Sequence, residues 1–225
     1  MAIRNRKRVS PTDHEISNLK TAEQWIVRSA EILHGIVAAK SPRTALPGAM
    51  FMLAVQYQHG ISLLCRNGLY AGAFALLRPL TEAMFRGAWL RYAASDQELR
   101  GIADGKKFPD RGRIDRDLLK AKPRYALLRE YLDRIYDDAL HDFSHGGHQQ
   151  MWSRIQDGII GEAHQVGNVK NLIHASCTLG YICSVEIATS CDSPAHAQRL
   201  QDLFRSLFPK PEDLDRLAEK TVENP

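Results

Sequence analysis

The chain has 225 residues, of which 44% are hydrophobic and 25% charged, a composition typical of globular proteins and not of disordered or fibrous ones. A chain of this length buries a sizeable core without disulfides, and its four cysteines form no C-x-x-C pair, which favours reduced thiols and a cytoplasmic location. The net charge of +4 equals the four basic residues among the first eight, and the other 26 basic residues balance 26 acidic ones.

The basic excess therefore lies at the N-terminus. We predict that residues 1–10 form a disordered basic tail and that residues 11–225 form a single domain. No stretch of about 18 residues lacks strongly polar groups, so no membrane span is expected. The most apolar candidate, residues 48–65, contains Gln56, Gln58 and His59.

The first two predicted helices are bounded by proline and glycine. Ser10-Pro11-Thr12-Asp13 has the residues of a helix start, and apolar residues recur at helical spacing from there to Ala39. Pro47-Gly48 is predicted to open the second helix. Asn67-Gly68 is predicted to close it, because both residues tolerate the left-handed conformation of a C-cap.

A third helix is predicted from Tyr70 to Ala94, with a kink at Pro79. Ser95-Asp96-Gln97-Glu98 has the pattern of a capping box and starts a short helix. The polar stretch from Gly101 to Lys122 is predicted to be a mobile connection with a short helix near residues 116–120. Pro123 starts the next helix, which is expected to run to about Leu140.

Helices are predicted to resume at residues 149–160 and 162–191, and Asp192-Ser193-Pro194 starts another. No useful stretch alternates in the manner of a strand. The predicted fold is an all-α helical bundle with long, kinked helices, of a kind that often forms homodimers. Trp25, Trp89 and Trp152 are predicted to anchor its core.

A row of charges lies within the apolar third helix. Arg78, Glu82 and Arg86 are spaced four apart and share one face. One interpretation is structural, with Glu82 pairing with both arginines and fixing the helix packing. The alternative is an anion site in which an arginine points at a phosphate.

A histidine cluster follows the sixth predicted helix, with His141, His145 and His148 within eight residues. Histidine works as a general acid or base near neutral pH. Arg134 lies about two helical turns before His141, so an arginine that holds a phosphate and a histidine that moves the proton would share a face. The structural alternative makes His141 a helix cap and His145 a buried residue in a tight turn.

A metal site is a further interpretation of the same histidines, with Asp137 or Asp142 adding oxygen. The chain has no H-E-x-x-H pattern, and no cysteine lies near the cluster in sequence. We therefore expect neither a metal nor any other cofactor.

Two blocks of sequence resemble an uncharacterised family of bacterial helical proteins. They are R-P-L-T-E-A-M-F-R-G-A-W, residues 78–89, and L-H-D-F-S-H-G-G, residues 140–147. A looser resemblance is to the HEPN superfamily, whose signature is an arginine, four to six residues and a histidine. Arg134 and His141 have this spacing, although the residue after the arginine, usually polar, is Ile135.

The HEPN resemblance implies a helical-bundle ribonuclease of a toxin or phage-defence system, acting without metal across a dimer. In it Arg134 would bind phosphate, and His141 with His145 would perform acid–base work, while the basic segment 106–134 would hold RNA. The rival hypothesis is a non-catalytic binding protein, either an antitoxin-like partner of a cognate protein or a small-ligand sensor. Its internal polar site would be lined by Arg78, Glu82, Arg86 and His145. Neither hypothesis involves a membrane.

Overall fold

Helices form most of the secondary structure. The computed structural model describes residues 13–37, 41–136, 147–152, 155–156, 159–160 and 166–208. Within these ranges the helices are α1 (Asp13–Leu33), α2 (Pro42–Arg66), α3 (Tyr70–Tyr92), α4 (Asp96–Ala103), α5 (Arg111–Ala121), α6 (Arg124–Tyr136), α7 (His148–Trp152), α8 (Val166–Ser190) and α9 (Pro194–Leu207). A two-residue hairpin, β1 (Ile155–Gln156) and β2 (Ile159–Ile160), pairs antiparallel. The predicted all-α class is confirmed.

The turn between α2 and α3 forms as the sequence predicts. Gly68 has a φ of 68°, in the left-handed region that favours glycine. The N–H of Leu69 donates to the carbonyl of Leu64 at 2.9 Å, and that of Gly68 to Cys65 at 3.0 Å. These are the two bonds of a Schellman motif, so the chain reverses and α3 returns along α2.

The α2–α3 contact is close because small residues lie along it. A Cβ placed on Gly87 of α3 would lie 2.9 Å from the ring of Phe51 on α2. Nearer the turn, a Cβ on Gly60 would meet Leu76 at 2.9 Å. Phe51 of α2 faces Gly87 of α3, and Gly60 of α2 faces Leu76 of α3. Residue numbers rise along α2 where they fall along α3, so the two helices run antiparallel.

A single apolar core joins α2, α3 and α8 to α1, α9 and the helices that follow α3. Trp25 and Trp89 are buried in it, as predicted. The prediction for Trp152 is wrong, because 52% of its surface is exposed at the end of the short helix α7. The four cysteines are unpaired, and burial raises the pKa of the Cys177 thiol to about 12.

Several predicted helix boundaries are wrong for local reasons. The first helix stops at Leu33 and not Ala39, since Gly35 takes a φ of 79°. The second begins at Pro42, and Pro47 lies inside it. Its early start is held by Arg43, which donates to the Ala94 carbonyl at 3.1 Å.

Two other segments also differ from the prediction. Helix α5 is longer than residues 116–120, because the Asp110 side chain accepts the N–H of Arg113 at 3.0 Å and caps an earlier start. The predicted helix at 149–160 is replaced by the short α7 and the β1–β2 hairpin. Isoleucines at 155, 159 and 160 favour strands, and Asp157-Gly158 is a typical two-residue hairpin sequence.

One helix in the described part of the chain, at Gly167–Ser190, is long and apolar enough to cross a membrane by length and composition. This helix is not the stretch of residues 48–65 that the sequence indicated as the most apolar candidate. Of its most apolar window, 78% is buried against the rest of the fold, as for the core helix of a globular protein.

Candidate anion-binding site

The predicted charge row on α3 forms ion pairs. The Nε of Arg78 donates to Oε1 of Glu82 at 2.9 Å, and Nη2 of Arg86 lies 3.3 Å from Oε2 of the same carboxylate. All three side chains are partly exposed. The expectation that they share one helix face is confirmed. Because the row lies at the edge of the core, its outer side remains accessible.

This row forms one wall of a cavity of about 270 Å³. The other walls come from α5, α6 and the segment that joins α4 to α5. We term the cavity the arginine pocket, and its lining residues are Arg78, Thr81, Glu82, Phe85, Arg86, Pro109, Arg111, Ile114, Asp115 and Arg129. Four arginines from three helices therefore meet in one place.

The wall opposite α3 repeats the pattern of one carboxylate between two arginines. Oδ2 of Asp115 lies 3.6 Å from Nε of Arg111 and 3.9 Å from Nε of Arg129. The Nε of Arg129 also lies 3.3 Å from Oδ2 of Asp133 at the pocket's outer edge. Burial raises the pKa of the Asp115 carboxyl even though Arg111 opposes the shift.

Three guanidinium groups keep hydrogen-bonding capacity toward the pocket. Within the described residues, Arg111 and Arg129 contact carboxylates only through Nε, and Arg86 only through Nη2. A guanidinium carries five N–H donors in a planar fork. The terminal nitrogens of Arg111 and Arg129 are thus available to an acceptor that enters the cavity.

The floor of the pocket is apolar. Phe85 and Ile114 are buried there, and Pro109 lies at its side. The guanidinium of Arg129 lies 5.9 Å from the centroid of the Phe85 ring, and that of Arg86 lies 5.2 Å from the Phe108 ring. Contacts of this type are favourable and restrict the two arginine side chains.

A second charged cluster lies deeper in the fold, around Glu186 of α8. Its Oε1 accepts from Arg124 at 2.7 Å and from the Tyr125 hydroxyl at 2.8 Å. Its Oε2 accepts from Arg91 and, at 2.7 Å, from the Tyr92 hydroxyl. The pKa of both tyrosines is raised, first by burial and then by the Glu186 charge.

The Glu186 cluster is structural. A carboxylate offers about four lone-pair sites, and four donors already occupy them. No site on Glu186 is left for a ligand or for a proton in transit. The cluster instead ties α3, α6 and α8 together, and α3 and α6 are two of the helices that line the arginine pocket.

Of the remaining residues predicted as functional, the structure describes the side chain of His148 alone, and it lies outside the pocket. Arg134 lies in the last turn of α6, and its side chain is outside the described part of the chain. His141 and His145 lie outside the described residues altogether. His148 begins α7, is exposed, and accepts the Trp152 indole N–H at 2.6 Å.

Potential metal ligands do not cluster in the described ranges: no three His, Cys, Asp or Glu side chains there lie close enough to hold an ion. His174 of α8 is half-buried and lies 3.4 Å from the Tyr131 hydroxyl. Its burial, with a smaller effect of the Lys170 charge, lowers the pKa of this imidazole.

A family model matches residues 51–210, which is 160 of the 225 residues, and its description is Family of unknown function (DUF6988). The chain belongs to this family. The matched range contains every residue that lines the arginine pocket. No curated protein matches the chain, and no solved structure does.

Sequence reasoning identified the α3 wall and missed Asp115 as its counterpart. It also placed Arg111 and Arg129 in a basic RNA-holding segment. In the structure several arginines of that segment form ion pairs: Arg113, for example, pairs with Glu98 and Asp117. The i, i+4 spacing of Arg111 and Asp115 was a usable signal, because it places both residues on one face of a helix. It does not predict which other helix that face packs against.

Proposed function

We propose that this protein is a non-catalytic binding protein whose arginine pocket holds a small anionic ligand. The observation that carries the proposal is the convergence of Arg86, Arg111 and Arg129 on one cavity with N–H donors that no carboxylate of the described residues uses. Guanidinium groups with free N–H edges over an apolar floor favour an oxyanion, because bidentate pairing to charged oxygens is the strongest interaction they make.

The charge of the lining supports an anion. Four arginines face two carboxylates, Glu82 and Asp115, so the lining has two positive charges in excess. The cavity is slightly smaller than the ~300–1,000 Å³ typical of sites for drug-sized ligands. A small metabolite fits these dimensions better than a dinucleotide.

The described lining offers little for catalysis. The Thr81 hydroxyl donates to the Leu77 carbonyl at 2.9 Å, which occupies its proton. Both carboxylates form ion pairs with arginines, which occupy oxygens that a general base would use. A binding role uses the donors of the pocket as they stand.

The test is thermal unfolding with inorganic phosphate, at constant ionic strength set by sodium chloride. At ten times the dissociation constant, a ligand that binds only the folded state stabilises it by about 1.4 kcal/mol, or about 3–6 °C for a chain of this size. Phosphate also stabilises proteins without binding to a site. Variants must therefore separate the two effects.

Arg111→Gln and Arg116→Gln form a matched pair on α5. Arg111 lines the pocket, whereas Arg116 is 73% exposed and lies outside it. Arg111→Gln should lose most of the phosphate-induced shift, and Arg116→Gln should keep it. Equal shifts in wild type and both variants would refute a specific anion site.

A second candidate is the metal-independent ribonuclease of the HEPN type. It is supported by the position of Arg134 in the last turn of α6, two residues before the end of the described range that contains it, together with the spacing to His141. His145 would assist, and the motif would meet its copy in a homodimer. Both RNA and a cognate protein are proposed as partners.

Expression of wild type, His141→Ala and Arg134→Ala tests the ribonuclease directly, with RNA integrity and growth as readouts. Cleavage by wild type alone supports it. Intact RNA in every culture, or cleavage that persists in both variants, counts against it. Light scattering on the purified protein shows whether the required dimer exists.

A further inference from the structure

We infer that the ligand of the arginine pocket is a small organic phosphate monoester bound as its dianion. The inference rests on the proposed binding function and specifies the ligand's chemical class. It follows from three properties of the pocket: the excess charge, the placement of the free donors and the apolar floor between them.

The first property sets the ligand's charge. The excess of two positive charges is matched by a dianion and only half matched by a monoanion. In the described part of the chain a further carboxylate, that of Asp133, pairs with Arg129 at the outer edge and is more than half exposed, so solvent screens it. A phosphate monoester carries close to two negative charges above its second pKa of ~6, whereas a diester, a sulfate ester or a monocarboxylate carries one.

The second property sets the shape of the charged group. The donors come from α3, α5 and α6, so Arg86, Arg111 and Arg129 approach from different sides of the cavity. A planar carboxylate presents two oxygens in one plane. A terminal phosphoryl group presents three oxygens in three directions, which suits three forks that converge from separate helices.

The third property calls for an organic portion. Phe85, Ile114 and Pro109 offer an apolar surface next to the charged walls. Phe85 and Ile114 are largely buried, so the apolar surface that faces the cavity is small. A compact apolar or aromatic group attached to the phosphate would pack against it and gain the free energy of covering it.

Isothermal titration of the full chain with phenyl phosphate and phenyl sulfate at pH 8 tests this. The two esters have nearly the same shape and differ by one charge at that pH. Phenyl phosphate should bind at least about tenfold more tightly than phenyl sulfate, because hydrogen bonds to the oxygens of a dianion are stronger than the same bonds to a monoanion. It should also bind more tightly than inorganic phosphate.

Arg111→Gln should reduce the preference for phosphate over sulfate, while Arg116→Gln should retain it. Both side chains are more than half exposed, so both variants should fold. Their melting temperatures without ligand check this.

Equal affinity for the two esters, or tighter binding of inorganic phosphate than of phenyl phosphate, would overturn the inference and leave the anion site standing. If neither ester binds while inorganic phosphate still stabilises the wild type through Arg111, the inference about the ligand class is wrong and the anion site remains. Failure of all three anions would overturn the inference together with the proposed function.

Discussion

Replacing Glu186 with glutamine should destabilise the fold far more than the same change at Glu82. Each carboxylate contacts two arginines, so the ion pairs are comparable in number. Their burial differs: the Glu186 side chain is 5% exposed, and that of Glu82 is 32% exposed. The comparison contrasts a buried carboxylate, which also accepts from the Tyr92 and Tyr125 hydroxyls, with a partly exposed one.

The expected magnitudes follow from burial. Glu186→Gln keeps the side-chain shape but leaves Arg91 and Arg124 facing a neutral group. Removing one partner of a buried pair costs about 3–5 kcal/mol, and we expect about 3 kcal/mol here because both arginines retain some contact with solvent. Glu82→Gln should cost at most about 1 kcal/mol, as for exposed pairs.

Urea unfolding followed by circular dichroism measures both changes. The midpoint of Glu186→Gln should fall with little change in slope, and its melting temperature should drop by about 6–12 °C. If Glu186→Gln unfolds within about 0.5 kcal/mol of wild type, or if the two variants are equally destabilised, the structural role assigned to the Glu186 cluster is wrong.

Other predictions concern packing, thiols and pH. Gly87→Ala should lower the free energy of unfolding by about 1–3 kcal/mol, because its Cβ meets a phenylalanine ring of α2. Gly48→Ala, whose Cβ meets nothing within 4 Å, should raise it by about 0.4–1 kcal/mol. Urea unfolding measures both, and the reverse order would contradict the packing. A thiol reagent at pH 8 should label Cys191 slowly and the three buried thiols only after unfolding; four fast reactions would refute this. Burial lowers the pKa of His59 and His174, so below the usual pKa of 6.5 the unfolded chain binds more protons than the folded one. The free energy of unfolding should therefore fall as the pH drops through 6.5. His174→Gln should lessen that fall, and a pH profile unchanged by the substitution would contradict the prediction.

Sequence predicted the parts of the fold that local signals determine. The Asn67-Gly68 turn, the Ser95 capping box and the start of α9 at Pro194 all form where capping residues predict them. In the capping box, the Ser95 N–H donates to Glu98 at 2.8 Å and the Glu98 N–H donates back at 3.3 Å. Such motifs are closed within four residues and need no tertiary context.

Boundaries set by distant contacts were not predictable. Helix α2 begins at Pro42 partly because Arg43 reaches Ala94 and Asp96, more than fifty residues away. Periodicity carries no information about such a contact. The hairpin after α7 was missed for another reason: apolar runs of two or three residues fit helix and strand equally well.

The candidate site shows the same division. The spacing of Arg78, Glu82 and Arg86 predicts one wall of the pocket, because four-residue spacing fixes a helix face. The opposite wall depends on how α5 and α6 pack against α3, which spacing does not encode. For Glu186 a signal existed: it is the single acidic residue of the apolar helix α8, and a lone buried acid needs compensating partners.

Side-chain NMR of the arginines most directly tests whether the arginine pocket is the binding site. Guanidinium signals of ¹⁵N-labelled protein would be followed during titration with phenyl phosphate at pH 8. The signals of Arg86, Arg111 and Arg129 should shift along one common binding curve, while that of Arg116 stays in place. Shifts that spread over surface arginines without saturating, or none at the three pocket residues, would contradict the account.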